Sequence, residues 1–527
     1  MNPTAFYEYV ISNGTRLFTV VILPDGEGKF PVIVIRNPYV DALEEVDEEA
    51  IVKQYLTDCS WLKHGYAVVI PHCRGTGKSD GDCIPYINEH DDTLNLYEWI
   101  RRQSFYDGVL LPYGNSYLTS VHYCAAPFAP DIKGAIFGVQ DTERYNICYR
   151  NGVLKRGLHT TWYVKMYKKK TMKTKNFSLE TNDKFLMLPL KDFSTAVFGE
   201  PSADLDEMLL SPKRSDPFWS THNGGTDARN ATDNAPFPIL FTTGFYDIYT
   251  GGIFDMWNAM SAESKARSVL LVSPYDHGSK PTDGSLTFEN GIPSEAFGRF
   301  ELQWFDHVVK GTPSPFELGK VTYYRIFDNK WVCDEFACPE KSVTLPLGSE
   351  TVSYVYDPND PPRFNGGLSS NFGGSPIQDA PNLRSDTVSV YTKPFEDDTF
   401  VKGRMTAKLK VASDCEDTGF YIRVSITAEK GDFPLRDDIT SLCYQLGDYQ
   451  TNAPVTLDFT FDEHAFLIKK GARLRIDIAS ANADHYVRHT NIKGLYSTIT
   501  TTKKANNTVF LDGCTLTLPI ENQGDKP

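Results

Sequence analysis

One segment limits the fold of this chain more than any other: Gly108-Val-Leu-Leu-Pro-Tyr-Gly-Asn-Ser116-Tyr-Leu-Thr-Ser120. A short apolar run, Val109 to Leu111, stops at Pro112, and the small and apolar residues Val121 to Ala126 read as the start of a helix. A strand that turns sharply into a helix presents the residue at the turn tip, Ser116, above its sheet. Gly114 fits that geometry because the turn has no room for a side chain. Without partners for the serine elsewhere in the chain, the same letters describe only a polar turn in a β/α unit.

The surrounding text supports the strand–helix reading. Arg16 to Leu23, Phe30 to Ile35 and Tyr66 to Ile70 are runs rich in β-branched residues, bounded by Pro and Gly, as buried strands are. Asp91 to Arg102 carries Leu94, Tyr97 and Ile100 at threefold spacing, with acids at its start and Arg101-Arg102 at its end, which suits a helix dipole. Gly134 to Val139 is a further strand. Strands alternating with helices predict a mostly parallel, doubly wound sheet covered on both faces.

From 141 to 235 the alternation stops, and Tyr, Trp, Met and Lys mix through an irregular, helix-compatible segment that we expect to be a helical cap on the C-terminal edge of the sheet. The α/β pattern resumes over 236–320: strands at Ile239 to Thr243 and Ser268 to Val272, helices at Ile253 to Met260 and Phe297 to Val309. Beyond 320 short alternating strands dominate, among them Arg404 to Val411, Phe420 to Thr427, Pro454 to Phe461 and Ala472 to Ala479. Strands at that density without helices predict a β-sandwich, a jelly roll, over 321–527. The expected organisation is thus a core in two parts, 1–140 and 236–320, a cap at 141–235 and a sandwich. At 527 residues several domains are required in any case.

Charge and composition exclude several functions. A net charge of −15 argues against a nucleic-acid partner. The local exception, six lysines between Lys165 and Lys175, reads as a solvated face. No stretch approaches the ~20 apolar residues of a membrane span, and the N-terminus lacks the basic start and apolar run of a signal peptide. The ten cysteines are scattered without a CxxC pair and read as reduced thiols. A cytoplasmic location, with neither metal nor cofactor, is the expectation.

A serine hydroxyl is a weak nucleophile until a base takes its proton and a carboxylate orients that base. In α/β-hydrolases the three follow one another as Ser, Asp or Glu, His, each on a loop after a strand. Asp247 follows the strand Ile239 to Thr243 through Gly244-Phe-Tyr246, and His277 follows Ser268 to Val272 through Ser273-Pro-Tyr-Asp276. Both lie on C-terminal strand edges, where sites in open α/β sheets form. Asp255, inside the next helix, and Asp276, adjacent to the histidine, are poorer orienting acids, and the other ten histidines read as structural or surface residues. Arg74-Gly-Thr-Gly-Lys78-Ser79 imitates the end of a phosphate-binding loop, but the full pattern needs glycine where His72 stands.

Several motifs together resemble the cocaine-esterase/X-Pro dipeptidyl-peptidase (CocE/NonD) type of serine hydrolase. Arg36-Asn-Pro-Tyr39 is similar to its first-strand motif, Arg74-Gly-Thr-Gly-Lys-Ser-Asp-Gly81 to its RGxGxSxG loop, and Tyr97 to Gly108 to its helix and following strand. Gly114-Asn-Ser-Tyr-Leu118, Gly244-Phe-Tyr-Asp247 and Ser273-Pro-Tyr-Asp-His277 match its nucleophile, acid and base loops; Tyr354 to Pro361 and Asn507 to Leu511 extend the match into the sandwich.

The resemblance implies an α/β-hydrolase core, a helical cap and a galactose-binding-like jelly roll. It also implies Ser116 as nucleophile, Asp247 as orienting acid and His277 as base, with the Tyr39 hydroxyl and the Tyr117 backbone N–H as oxyanion donors. Asn115, Trp162, Tyr246 and Tyr249 are the expected pocket residues, Tyr249 because an acyl-contacting aromatic stands two places after the acid in this type. One position departs from the pattern: Thr119 replaces a glycine three residues after the serine, implying a small local adjustment. The expected activity is carboxylesterase or acylase on a small molecule, with X-Pro dipeptidyl-peptidase or α-amino acid ester hydrolase as alternatives. A binding protein with a degenerate hydrolase half is the alternative from another class. A small-molecule or short-peptide substrate is the expected partner, and the resemblance allows a homo-oligomer joined through the sandwich.

Overall fold

The computed structural model describes residues 4–521 except 42, 44, 58, 124, 126–128, 142, 157–161, 169, 171–185, 222–234, 279–285 and 368–373. Its first layer is a ten-stranded sheet. The strands are β1 (Thr4–Ser12), β2 (Thr15–Leu23), β3 (Phe30–Val34), β4 (Ala67–Pro71), β5 (Tyr106–Asn115) and β6 (Ala135–Gly138). After a short separate hairpin, β7 (Tyr149–Arg150) and β8 (Val153–Leu154), come β9 (Ile239–Tyr246), β10 (Val269–Asp276), β11 (Val321–Arg325) and β12 (Lys330–Asp334). The order across the sheet is β1-β2-β4-β3-β5-β6-β9-β10-β11-β12. From β4 to β11 every pairing is parallel; β1, β2 and β12 are antiparallel additions at the edges.

The central strands are buried on both faces, so they read as continuous apolar runs such as Val-Leu-Leu in β10. Helices α1 (Glu48–Thr57), α2 (Glu89–Arg101) and α3 (Tyr117–Tyr123) belong to the first half of the core, and Thr250–Ala259 and Ser294–Lys310 to the second. Of the three α2 residues read from its spacing, Tyr97 and Ile100 are fully buried and Leu94 is only half-buried; Leu96 takes the remaining place in the core. Arg101 at its end also binds Asp131 at 2.6 Å.

The ten-stranded sheet takes in residues beyond the expected boundary at 320. Residues 321–334 form a hairpin whose first strand lies parallel to β10. Their alternating pattern resembles that of the sandwich strands, and only the pairing partner distinguishes them.

Described residues between 141 and 235 build a cluster of their own around Tyr145, Tyr149, Tyr163, Phe193, Met208 and Phe218, joined by Val487 of the sandwich. Short helices at Arg144–Cys148, Phe193–Phe198 and Ala203–Leu209 carry Tyr145, Phe193 and Met208. A buried ion pair, Arg144–Asp204 at 2.6 Å, ties two of the helices, and Tyr163 donates to the same carboxylate at 2.7 Å. Much of the lysine cluster lies outside the described residues; within them, Lys168 pairs with Glu200 at 2.6 Å.

The C-terminal part is a β-sandwich. One sheet holds Ser342–Pro346, Thr515–Pro519, Thr406–Ser413, Ala505–Phe510, Thr351–Tyr356 and Val455–Thr460; the other holds Val388–Tyr391, Leu474–Ala479, Gly419–Ala428 and Gly431–Ser441. Leu409, Val411, Phe420, Ile422, Leu457 and Ile476 fill its interior. Among the described residues no helix is long and apolar enough to cross a membrane. No disulfide joins the nine described cysteines to one another; Cys124 lies outside the described residues.

Candidate active site

Sheet register brings three strand ends to one edge. Asn115 pairs with Gly138, Gly138 with Thr242, and Thr242 with Leu271, so the segments leaving β5, β9 and β10 emerge side by side.

Ser116 occupies the turn between β5 and α3 with φ +58°, a left-handed conformation that a serine adopts at a cost of order 1 kcal/mol or more. Its N–H donates to the Gly138 carbonyl at 2.9 Å, and its own carbonyl accepts from the Thr119 N–H at 2.8 Å. Gly114 is required there: a Cβ would lie 2.3 Å from the Leu118 carbonyl. Thr119, the departure from the expected glycine, is fully buried and useful. Its hydroxyl donates to the Gly114 carbonyl at 2.6 Å and accepts from the Gly138 N–H at 3.2 Å, bridging β5 and β6 beneath the serine.

Strands β9 and β10 extend past the points expected from the sequence, with an irregularity between Ser273 and Asp276, and deliver Asp247 and His277 to the serine. His277 Nε2 lies 3.0 Å from Ser116 Oγ, and His277 Nδ1 lies 2.9 Å from Asp247 Oδ2. A carboxylate at Nδ1 fixes the tautomer with its proton there, leaving Nε2 as acceptor for the serine hydroxyl. Asp247 is fully buried, and its other oxygen accepts the Tyr249 N–H at 2.7 Å. Burial works against a charged His277 ring. The charge and hydrogen bond of Asp247, with Asp276 adding, outweigh it and raise the pKa above the ordinary 6.5.

The other carboxylates are engaged elsewhere, as the sequence reading expected: Asp255 pairs with Arg404 at 2.5 Å, and Asp276 accepts the Gly278 N–H at 2.9 Å. His72 and His122 are buried, with pKa values pulled down to about 4 and about 3 by desolvation, and both contact tyrosine hydroxyls. His159 and His222 lie outside the described residues.

Tyr39 presents two aspects. It is 40% exposed over the whole residue, yet its hydroxyl has Ser116, the Trp162 indole and the Tyr117 backbone as hydrogen-bonding neighbours. Desolvation raises the pKa of this hydroxyl, and those hydrogen bonds pull against the rise. Both expected oxyanion donors therefore stand beside the serine.

The expected pocket residues divide. Tyr249 sets its ring edge-on to His277 at 5.4 Å, and Trp162 likewise meets Tyr117 edge to face at 4.8 Å. Asn115 and Tyr246 do not join them. Side chains alternate along a strand, and Asn115 turns to hydrogen-bond Thr242, Tyr113 and Glu301. Tyr246 is buried in the core against His464 and Phe288, at 5.8 and 6.4 Å.

Sequence reasoning missed Tyr86, which lies 4.9 Å from Tyr117 and 6.0 Å from Trp162 and completes an aromatic wall. Its φ is +71°, and its N–H donates to the Tyr117 hydroxyl at 2.7 Å. No periodic pattern surrounds it in the chain; only its place in the loop after Arg74–Gly81 could have suggested it. Glu89 was missed too: it accepts from Tyr117 at 2.8 Å and from Arg36 at 2.7 Å, linking the first-strand motif to the helix behind the serine.

Comparison with known proteins adds a relationship to this geometry. The sequence pattern described as X-Pro dipeptidyl-peptidase (S15 family) matches residues 13–279, and that of the X-Pro dipeptidyl-peptidase C-terminal non-catalytic domain matches 322–515. The cocaine esterase of Rhodococcus sp. (strain MB1 Bresler) is 24% identical over 92% of this chain and 91% of its own. Among solved structures, an aminopeptidase from a marine-sediment Thaumarchaeota archaeon superposes with a TM-score of 0.82 at 17% identity, covering 99% of this chain and 97% of the other. An α-amino acid ester hydrolase superposes at 0.80 and 16% identity, covering 98% and 97%.

Proposed function

The chain belongs to the X-Pro dipeptidyl-peptidase (S15) family, within the CocE/NonD type of serine hydrolases, and on that premise we propose that it is a small-molecule carboxylesterase or acylase working through Ser116, His277 and Asp247. The observation that carries this reading is the unbroken run of hydrogen bonds from Ser116 Oγ through the imidazole to Asp247, 3.0 and 2.9 Å long.

In the proposed reaction His277 Nε2 takes the Ser116 proton as Oγ attacks the substrate carbonyl. The carbonyl oxygen becomes an oxyanion that accepts hydrogen bonds from the Tyr39 hydroxyl and the Tyr117 N–H. Such a donor is worth roughly 2.7–4 kcal/mol. Collapse breaks the bond to the leaving group, which receives the proton from His277 and leaves Ser116 acylated. Water, deprotonated by the same nitrogen, then releases the acid and restores the serine. Asp247 keeps its hydrogen bond to His277 Nδ1 throughout and stabilises the imidazolium.

The aromatic wall of Tyr86, Trp162 and Tyr249 favours an acyl group with apolar surface, and the 24%-identical relative is named as an esterase. Hydrolysis of α-amino acid esters or X-Pro peptides is the second reading. It is favoured by Asp141, a buried carboxyl just past β6 whose field reaches Tyr249 and whose pKa burial raises to about 7. The binding-protein alternative gives way to family membership.

A fluorophosphonate probe tests the nucleophile: native protein is labelled and Ser116→Ala is not. A native protein that resists the probe sinks the triad. A panel of p-nitrophenyl esters against Gly-Pro and Ala-Pro anilides decides the substrate, and preferential anilide cleavage replaces the first reading by the second.

A further inference from the structure

The turn that carries Asp247 rests on the sandwich. Arg436, in the strand Gly431–Ser441, is 1% exposed. Its Nη1 donates to the Phe245 carbonyl at 2.5 Å and to the Leu435 carbonyl at 2.9 Å, its Nε to the Asp462 carbonyl at 3.2 Å, and its Nη2 to the Glu463 carbonyl. Phe245 stands two residues before Asp247. Its ring lies 4.9 Å from that of His464 and 6.4 Å from that of Phe336, with the guanidinium carbon of Arg436 6.0 Å away.

Beyond Asp247 the same part of the sandwich holds the helix Thr250–Ala259. Asp462 lies so close to its first turn that a Cβ on Gly251 would be 2.7 Å from the carboxylate, and Arg404 bridges Asp255 and Glu463 at 2.5 and 2.7 Å. Asp247 therefore sits between two points of attachment that both lead to the second domain.

We propose that Arg436 is a positioning residue for the acid of the triad: held by sandwich carbonyls, its guanidinium pins the Phe245 carbonyl and so fixes the Asp247 carboxylate against His277. The proposal rests on the triad reading given above. Burying a cation costs several kcal/mol unless its donors are satisfied. Here the hydrogen-bond acceptors are backbone carbonyls from three segments, an arrangement that fixes the relative position of those segments. Only the planar, multi-donor fork of arginine reaches them together; a lysine ammonium is a point charge. Asp437, Asp462, Glu463 and Tyr246 face the guanidinium and favour its charged form; burial lowers its pKa to about 10, so it remains cationic at neutral pH.

The test is the rate of fluorophosphonate labelling against pH, with melting temperature, for full-length native protein, Arg436→Gln and Arg436→Lys. A carboxylate displaced by about 1 Å costs about 10²-fold in rate. The glutamine variant should lose about that much, with its acidic limb moved down toward the ordinary histidine value as Asp247 loosens from His277. The lysine variant should fall between it and the native protein while melting near the native temperature. Folded variants with native rate and native limb overturn the proposal, as does a loss that tracks only the unfolded fraction with the limb unmoved. If the glutamine variant does not fold, the lysine variant decides by the same two readouts. Labelling that survives Ser116→Ala sinks the triad itself; labelling that dies in Ser116→Ala while both Arg436 variants stay native sinks only the positioning role.

Discussion

His277 Nδ1 meets Asp247 Oδ2 at 2.9 Å although 30 residues separate them in the chain. The pairing sets a pH dependence. His277 must be neutral to accept a proton, and its pKa lies above 6.5 despite burial. Activity should therefore rise with pH through a midpoint above 6.5, later than an unperturbed histidine would allow. Asp247→Asn removes the charge, moves that midpoint down and lowers kcat by about 10⁴-fold. A native kcat/KM profile with its acidic midpoint at or below 6.5 contradicts the pairing.

Tyr39 brings a hydroxyl to Ser116 that phenylalanine lacks. Tyr39→Phe should lower kcat about 10²- to 10³-fold, the cost of one oxyanion donor, with KM changed little. Steady-state kinetics on any ester the native protein turns over will decide, and a native kcat removes Tyr39 from the oxyanion hole.

Thr119 ties Gly114 to Gly138 through its hydroxyl. Thr119→Val keeps the shape and strands those backbone groups, at about 1–3 kcal/mol. Chemical denaturation should register that loss while the serine still reacts with the probe. A valine variant as stable as the native protein means the bridge contributes nothing.

Glu301 accepts the Tyr113 hydroxyl at 3.1 Å, and burial raises its pKa from 4.5 to about 7. Between those values the folded protein holds a proton that the unfolded chain has released, so stability falls as pH rises through this window. The full shift corresponds to a cost on the order of 3 kcal/mol above pH 7. Glu301→Gln, neutral at every pH, should gain stability over the native protein on going from pH 5 to pH 8. Parallel unfolding curves at the two pH values would show that Glu301 is not the buried acid inferred.

The Ser116 turn was legible because it is local: a glycine required where a Cβ would lie 2.3 Å from the Leu118 carbonyl, and a strand running straight into a helix, are written in neighbouring residues. Asp247 and His277 were legible for the same reason, each following its own strand. Asn115 and Tyr246 were misjudged because adjacency in the chain does not fix the face a side chain takes. That residues 321–334 pair onto the first sheet could not be read, because an alternating strand pattern is the same at the edge of a parallel sheet as in a sandwich.

The sequence by itself determined the elements, their order and the chemical types at the three strand ends, since periodicity, turn chemistry and nucleophile spacing are short-range properties. Only the tertiary structure decided which side chains meet. Tyr86 closes the aromatic wall, Thr119 substitutes a hydrogen-bonded bridge for a missing glycine, and Arg436 reaches Phe245 from 191 residues away. Those contacts depend on how sheet, cap and sandwich are packed. Packing follows from burial and from hydrogen bonds between distant segments, which no local pattern encodes.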